Sequence, residues 1–383
     1  MAYPRRDEQS GVGKTMQSCM VKVYGDRILK MNTIVEVVGV YTGPANDGHK
    51  GESWPEVPKV HVIAWRNLGE ANPMMMGGWG TEKISTLKKE VLKAQICMGR
   101  ALIAWISKAF SGDDLAAEYL LYNMISRVAF RHEETVVGSL PLNITYANSS
   151  DLNVVCRVVE VVRALLPKSL LISLTRQELS SGRLISRRDI DQNRLHAGML
   201  QLSTGTHLVI DEVALEEGPL GKDEQDQLEN LKKVLFFQKT EYDLEVYKKD
   251  FEMNIMPVVV SEARSLFKPL CVVPLHIECS WGERLPAIPE STLNSWRALI
   301  ARWRESDLPL PSPEAMKRMQ DDFVRIRASQ GPQALSEGTY GMWITLAQLS
   351  GITLGKRTLD VETWEIILAL ENRRRSRCQR VSE

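Results

Sequence analysis

The run "THLVIDE" (206–212) leads an apolar, strand-like core into two adjacent carboxylates, and the fold turns on what surrounds it. Upstream, "TVVGSLPLNIT" (135–145) reads as a strand followed by a turn. "VCRVVEVVRALL" (155–166) reads as a helix despite its β-branched valines, and "SLLISLT" (169–175) as a strand. Downstream, "LENLKKVLFFQK" (228–239) is helical and "MPVVVSEARS" (256–265) opens as an almost wholly apolar strand. Apolar strands alternating with helices predict a sheet covered on both faces. The expectation is an α/β core.

An apolar strand ending in Asp-Glu has the form of a Walker B element. Asp211 would then face magnesium and Glu212 an attacking water, at the carboxyl edge of the sheet. The same pattern fits a strand ending in a turn, with Asp211 accepting backbone N–H bonds as a cap. A phosphate-binding partner should follow an earlier strand. From Gly138 the count runs G-x-x-x-x-N-I-T, so Asn143 takes the place of the second P-loop glycine and Ile144 that of the lysine. Thr145 keeps the position that would touch magnesium, and Pro141 removes an N–H donor. Losing the lysine removes the main cation facing the outer phosphates. The sequence therefore predicts an ATPase-like fold with a dead site, with no catalytic residue and no cofactor.

The stretch "SGVGKT" (10–15) ends like a P-loop but is not one. Glu8 stands where the first glycine is needed, and "MAYPRRDEQ" supplies no strand ahead of it. Residues 1–17 read as a flexible tail. "MVKVY" (20–24), "TIVEVVGVY" (33–41) and "KVHVIAW" (59–65) are short strands separated by turn residues, and 18–80 is expected to form an OB-like β segment. Tyr24, Tyr41, Trp54 and Trp65 could serve a single-strand binder, but basic residues among them are sparse and packing is the simpler role. "NPMMMGGWG" (72–80) is a loop, and "STLKKEVLKAQICMGRALIAWISKAF" (85–110) a helix. "SGDD" (111–114) supplies a break and an N-cap for "LAAEYLLYNMISRVAF", whose broad apolar face indicates a buried helix. The α/β domain is expected over 81–285 and a helical domain over 286–383.

Among 383 residues, 44% are hydrophobic and 25% charged, a globular composition with room for sizeable cores. Lys+Arg and Asp+Glu balance at 48 each, which argues against direct nucleic-acid binding through bulk charge. No apolar run reaches the length of a membrane span. Six scattered cysteines suit a reducing compartment. Cys271, His276 and Cys279 offer too few ligands at too irregular a spacing for zinc, so no metal is expected. The basic run "RRRSRCQR" (Arg373, Arg374, Arg375, Arg377 and Arg380) reads either as a nuclear import signal or as cations complementing a helix C-terminus.

Three long segments resemble the minichromosome maintenance complex-binding protein family: "GDDLAAEYLLYNMISRVAFRHEETVVGSLPLNIT", "NRLHAGMLQLSTGTHLVIDEVALEEGPL" and "FEMNIMPVVVSEARSL". The likeness extends from Cys19 to Arg377. It implies an OB-like segment and an AAA+-like core without a catalytic P-loop. Gly138 to Thr145 would match the family's degenerate loop, and Asp211 and Glu212 its "LVIDE", with no catalytic role. A typical member carries a further N-terminal region, so this chain is expected to be a short or divergent one. The implied function is non-catalytic binding of helicase subunits, in complex assembly or unloading from chromatin, with a nuclear location and support of sister-chromatid cohesion. A weak AAA+-type ATPase and a single-strand nucleic-acid-binding module are the alternatives.

Overall fold

The computed structural model describes residues 19–25, 29, 32–43, 58–68, 94–133, 135–146, 153–190, 194–262, 265–268, 271–276, 285–330 and 335–382. The chain divides into two compact units, Met1–Glu70 and Ala71–Glu383. In the first, β1 (Met20–Lys22) pairs parallel and β2 (Val35–Thr42) antiparallel with the central β3 (Lys59–Asn67). A bulge falls at Val38/Gly39, where a Cβ on Gly39 would collide with the carbonyl of His61. The described residues of this unit hold three strands, short of the five that close an OB barrel.

The second unit opens with α1 (Gln95–Lys108) and α2 (Asp114–Ile125). Asp113 caps α2 by accepting the Ala116 N–H at 3.1 Å, as the "SGDD" break predicts. The helix stops at Ile125 rather than running to Phe130. Ser126 turns extended and its hydroxyl bonds back to the Asn123 carbonyl. β4 (Phe130–His132) and β5 (Thr135–Val137) form a small hairpin before β6 (Leu142–Tyr146), α3 (Val154–Leu165), β7 (Ser169–Ser173) and α4 (Arg176–Ser180). Next come β8 (Ser186–Asp189), β9 (Arg194–His196), β10 (His207–Asp211), α5 (Lys222–Lys232) and a π-helical turn, Lys233–Phe237. β11 (Lys239–Asp243), β12 (Lys248–Glu252), β13 (Met256–Glu262) and β14 (Cys271–Pro274) precede the helical region. That region comprises α6 (Glu290–Glu305), α7 (Pro313–Gln330), α8 (Glu337–Thr353) and α9 (Val361–Ser382), with the two-residue strands β15 (Leu310–Pro311) and β16 (Thr358–Leu359) paired between them.

The five apolar strands form one parallel sheet in the order β14-β6-β13-β10-β7. Alternate side chains serve opposite faces, and both faces are buried. Ile144, Val209, Val258 and Val260 join the main core with α2, whereas Leu208, Ile210 and Val259 are equally buried outside that cluster. α3 forms although valine is a modest helix former, because Val154, Val158, Val161, Val162 and Leu165 all bury on one side. A second sheet, β12-β11-β8-β9, consists of two hairpins joined by a parallel β11/β8 pairing.

The region expected as a separate helical domain from residue 286 belongs to the same unit as the sheet. Trp303, Trp343 and Trp364 are buried in the core that also holds α2 and β6. The buried Asp322 of α7 accepts from the Trp364 Nε1 at 3.0 Å and from Arg318 at 3.1 Å.

Candidate functional site

In an open parallel sheet, ligands bind beyond the carboxyl ends of the strands. Here that edge is built by Tyr146 at the end of β6, Glu262 at the end of β13 and Asp211 at the end of β10. Tyr146 and Glu262 are register partners, and burial together with the nearby Glu262 and Asp211 pushes the Tyr146 phenol up to about 12. Among the described residues, no lysine or arginine is paired with Asp211, Glu212 or Glu262.

Asp211 is engaged through one of its two oxygens. Its Oδ1 accepts the Val213 N–H at 3.1 Å, closing a turn directly after the strand. Glu212 is buried and is not placed as a base for water. It accepts the Ser265 hydroxyl at 2.5 Å and the backbone N–H of Leu266, tying the end of β10 to the segment leaving β13. Burial raises its carboxyl above the ordinary value, with the Leu266 and Ser265 bonds opposing. The capping alternative is thus what Asp211 does, and Glu212 is a clamp.

The loop reading of 138–145 is corrected. A P-loop leaves a strand and enters a helix, but Asn143, Ile144 and Thr145 lie inside β6, between β13 and β14. Asn143 accepts the Ser261 hydroxyl at 3.1 Å in the interior, and Ile144 is wholly buried. Gly138 lies before the strand. Its φ is +88°, and a Cβ would approach the Arg127 carbonyl to 2.6 Å, so a turn demands glycine there without any phosphate. The turn at Gly138 follows the three-residue β5 and precedes the main strand β6.

The connection in the phosphate position is 147–152, "ANSSDL", which joins β6 to α3 and lies outside the described residues. Its sequence holds neither glycine nor lysine. At the start of α3, the Asn153 side chain accepts the Cys156 N–H at 3.1 Å, so the chain itself satisfies a donor that a phosphate would need.

The basic run is not a tail. It forms the last turns of α9, and three of its arginines are engaged. Arg374 is buried against the fully buried Glu371, with bonds of 2.9 and 2.8 Å, and donates to the Val272 carbonyl at 2.9 Å. Glu371 also accepts from the Trp343 indole at 2.7 Å and from the Tyr119 hydroxyl. Arg377 reaches Asp113 at 2.6 Å, and Arg375 lies 4.6 Å over the Trp343 ring. Arg373 is exposed, and the side chain of Arg380 lies outside the described residues. Nothing in the composition of this run signals such burial; only the apolar face of "VETWEIILAL" hints that the helix is docked. Cys271 is a buried thiol on β14, whereas Cys279 lies outside the described residues. No cluster of three or more metal-ligating groups occurs among the described residues, and no helix there is long and apolar enough to cross a membrane.

These features define an α/β protein with a five-stranded parallel sheet whose carboxyl edge carries Tyr146, Asp211 and Glu262. The chain belongs to the Mini-chromosome maintenance replisome factor family, which it matches over residues 9–378. It is similar to the Mini-chromosome maintenance complex-binding protein of Gallus gallus, at 27% identity over 400 residues, covering 96% of this chain and 63% of that protein. The Homo sapiens protein of the same name is 28% identical over 405 residues (96% and 62%), and that of Arabidopsis thaliana 28% over 381 (94% and 63%). The chain thus spans less than two thirds of the length of these curated relatives.

Proposed function

We propose that this chain is a non-catalytic binding protein of the minichromosome maintenance helicase, built on an AAA+-like core that has no nucleotide cycle of its own. The relatives' shared name supports the partner. The strand order supports the core. Counted along the chain, the five strands lie in the order 5-1-4-3-2, which is that of AAA+-type sheets, with β10 and its acidic pair two places from β6. The carrying observation is the connection from β6 to α3: "ANSSDL" has no glycine to cradle phosphate and no lysine to neutralise it. With Glu212 held in a clamp and one Asp211 oxygen in a turn, binding energy would come from interface area rather than turnover.

On this reading the chain acts in the nucleus. It would assist assembly of the helicase or its unloading from chromatin, which it would contact through the helicase, and would support sister-chromatid cohesion. The first unit would be the OB-like element, its bulged three-stranded sheet being the supporting feature. The test is capture of individual helicase subunits by the purified chain, with and without ATP and magnesium. Capture that ignores nucleotide is expected; capture that requires ATP would overturn the non-catalytic reading.

A further inference from the structure

The two edges of the parallel sheet are treated differently. On β14 the peptide groups of Val272 and Pro274 point away from the sheet, since Leu275 N–H is the one bonded to β6, at Thr145. That edge is blocked. Pro274 has no N–H to offer, the Val272 carbonyl accepts from Arg374 at 2.9 Å, and the Pro274 carbonyl accepts from Arg377 at 3.4 Å.

On β7 the parity is fixed by two bonds to β10, from His207 N–H to the Lys168 carbonyl and from Leu174 N–H to the Asp211 carbonyl. Leu170 and Ile172 therefore face β10, and the peptide groups of Ser169, Leu171 and Ser173 face outward. The Ser173 carbonyl takes the Thr175 N–H at 2.9 Å. Among the described residues, the N–H and carbonyl of Ser169 and Leu171 and the N–H of Ser173 have no partner. No charged residue interrupts Ser169–Ser173. The adjacent Lys168, which could guard the edge, is buried and donates inward to the Thr204 carbonyl. Donors and acceptors repeating at every second residue are the complement of one ligand class, an extended polypeptide.

We propose that β7 is a strand-addition site at which an extended, uncharged segment of a helicase subunit pairs as a sixth strand of the sheet. The proposal rests on the helicase-binding reading and names its surface.

Hydrogen exchange resolved to single amides, on the full chain alone and with each purified helicase subunit, tests both. On complex formation the Ser169, Leu171 and Ser173 amides slow by at least about tenfold. Those of Leu170 and Ile172, already bonded to β10, do not change. Ser169→Pro deletes one outward N–H and no ladder bond, and weakens the complex about tenfold, the worth of one main-chain hydrogen bond. A full-affinity complex in which the three amides exchange as in the free chain overturns the edge and leaves helicase binding intact. No complex with any subunit overturns both. Protection that appears in the chain alone as its concentration rises gives the edge to a second copy and overturns the helicase segment.

Discussion

Arg377 Nη1 donates to Asp113 Oδ2 at 2.6 Å, joining the last helix to the N-cap of α2 across 264 residues of chain. The same carboxylate accepts the N–H groups of Ala116 and His276. One buried side chain thus starts α2, fixes the exit from β14 and holds α9.

Asp113→Ala removes a cap and leaves Arg377 without its partner, and is expected to cost about 2–4 kcal/mol of stability. Arg373→Ala, four residues earlier on the exposed side of α9, should stay within about 0.5 kcal/mol of the parent. Urea denaturation separates the two, and equal midpoints would contradict the latch.

Arg374→Ala leaves the Glu371 carboxylate fully buried without its cation, at an expected cost of about 3–5 kcal/mol. Deleting 373–383 should therefore lower the folded fraction as well as alter any nuclear signal. A truncated chain that keeps its parent urea midpoint and differs from the parent only in its place in the cell would contradict the docked helix and restore the import reading of the run.

Burial holds the Glu212 carboxyl above its ordinary value of 4.5. The folded chain then binds this proton more tightly than the unfolded chain. The stability it contributes is fully present below the ordinary value and is lost as pH rises through the raised one. Glu212→Gln keeps an acceptor for the Leu266 N–H and should flatten the stability profile across that window. Glu118, also raised by burial, leaves a residual slope. An unchanged profile, followed by denaturation at several pH values, would place Glu212 in solvent.

A ligand that binds only the folded state raises the melting temperature by mass action. Magnesium-ATP is expected to give no shift, because the sequence of the β6–α3 connection holds neither glycine nor lysine. A concentration-dependent rise would show that residues 147–152 hold nucleotide by other means.

The sheet was legible in the sequence because runs such as "LVID" and "PVVV" are apolar at nearly every position, a pattern that two-sided burial produces. The acidic pair was found by the same reading. What failed was register at one place: β5 is three residues long, and its "TVV" is indistinguishable by composition from a main strand, so the turn at Gly138 was placed after the strand rather than before it. The charged hairpin "KTEYD"/"KKDFE" was missed because its apolar positions, Tyr242 and Phe251, are few; their rings meet across the pair with centroids 4.5 Å apart and planes tilted by 51°. The role of the arginine run was illegible for a different reason. Arg374 pairs with Glu371 one turn earlier, but its burial depends on the Val272 carbonyl 102 residues away and that of Arg377 on Asp113 264 residues away, contacts that no local pattern signals.

Binding to the helicase without a nucleotide cycle is read from the affinity of the purified chain for separate helicase subunits, taken with and without magnesium-ATP while phosphate release is followed in the same samples. Tight binding to at least one subunit is expected, equal within about twofold in both conditions, which is less than about 0.5 kcal/mol, with no phosphate release from the chain itself. Binding that appears only with ATP, or phosphate released by the chain alone, would contradict it.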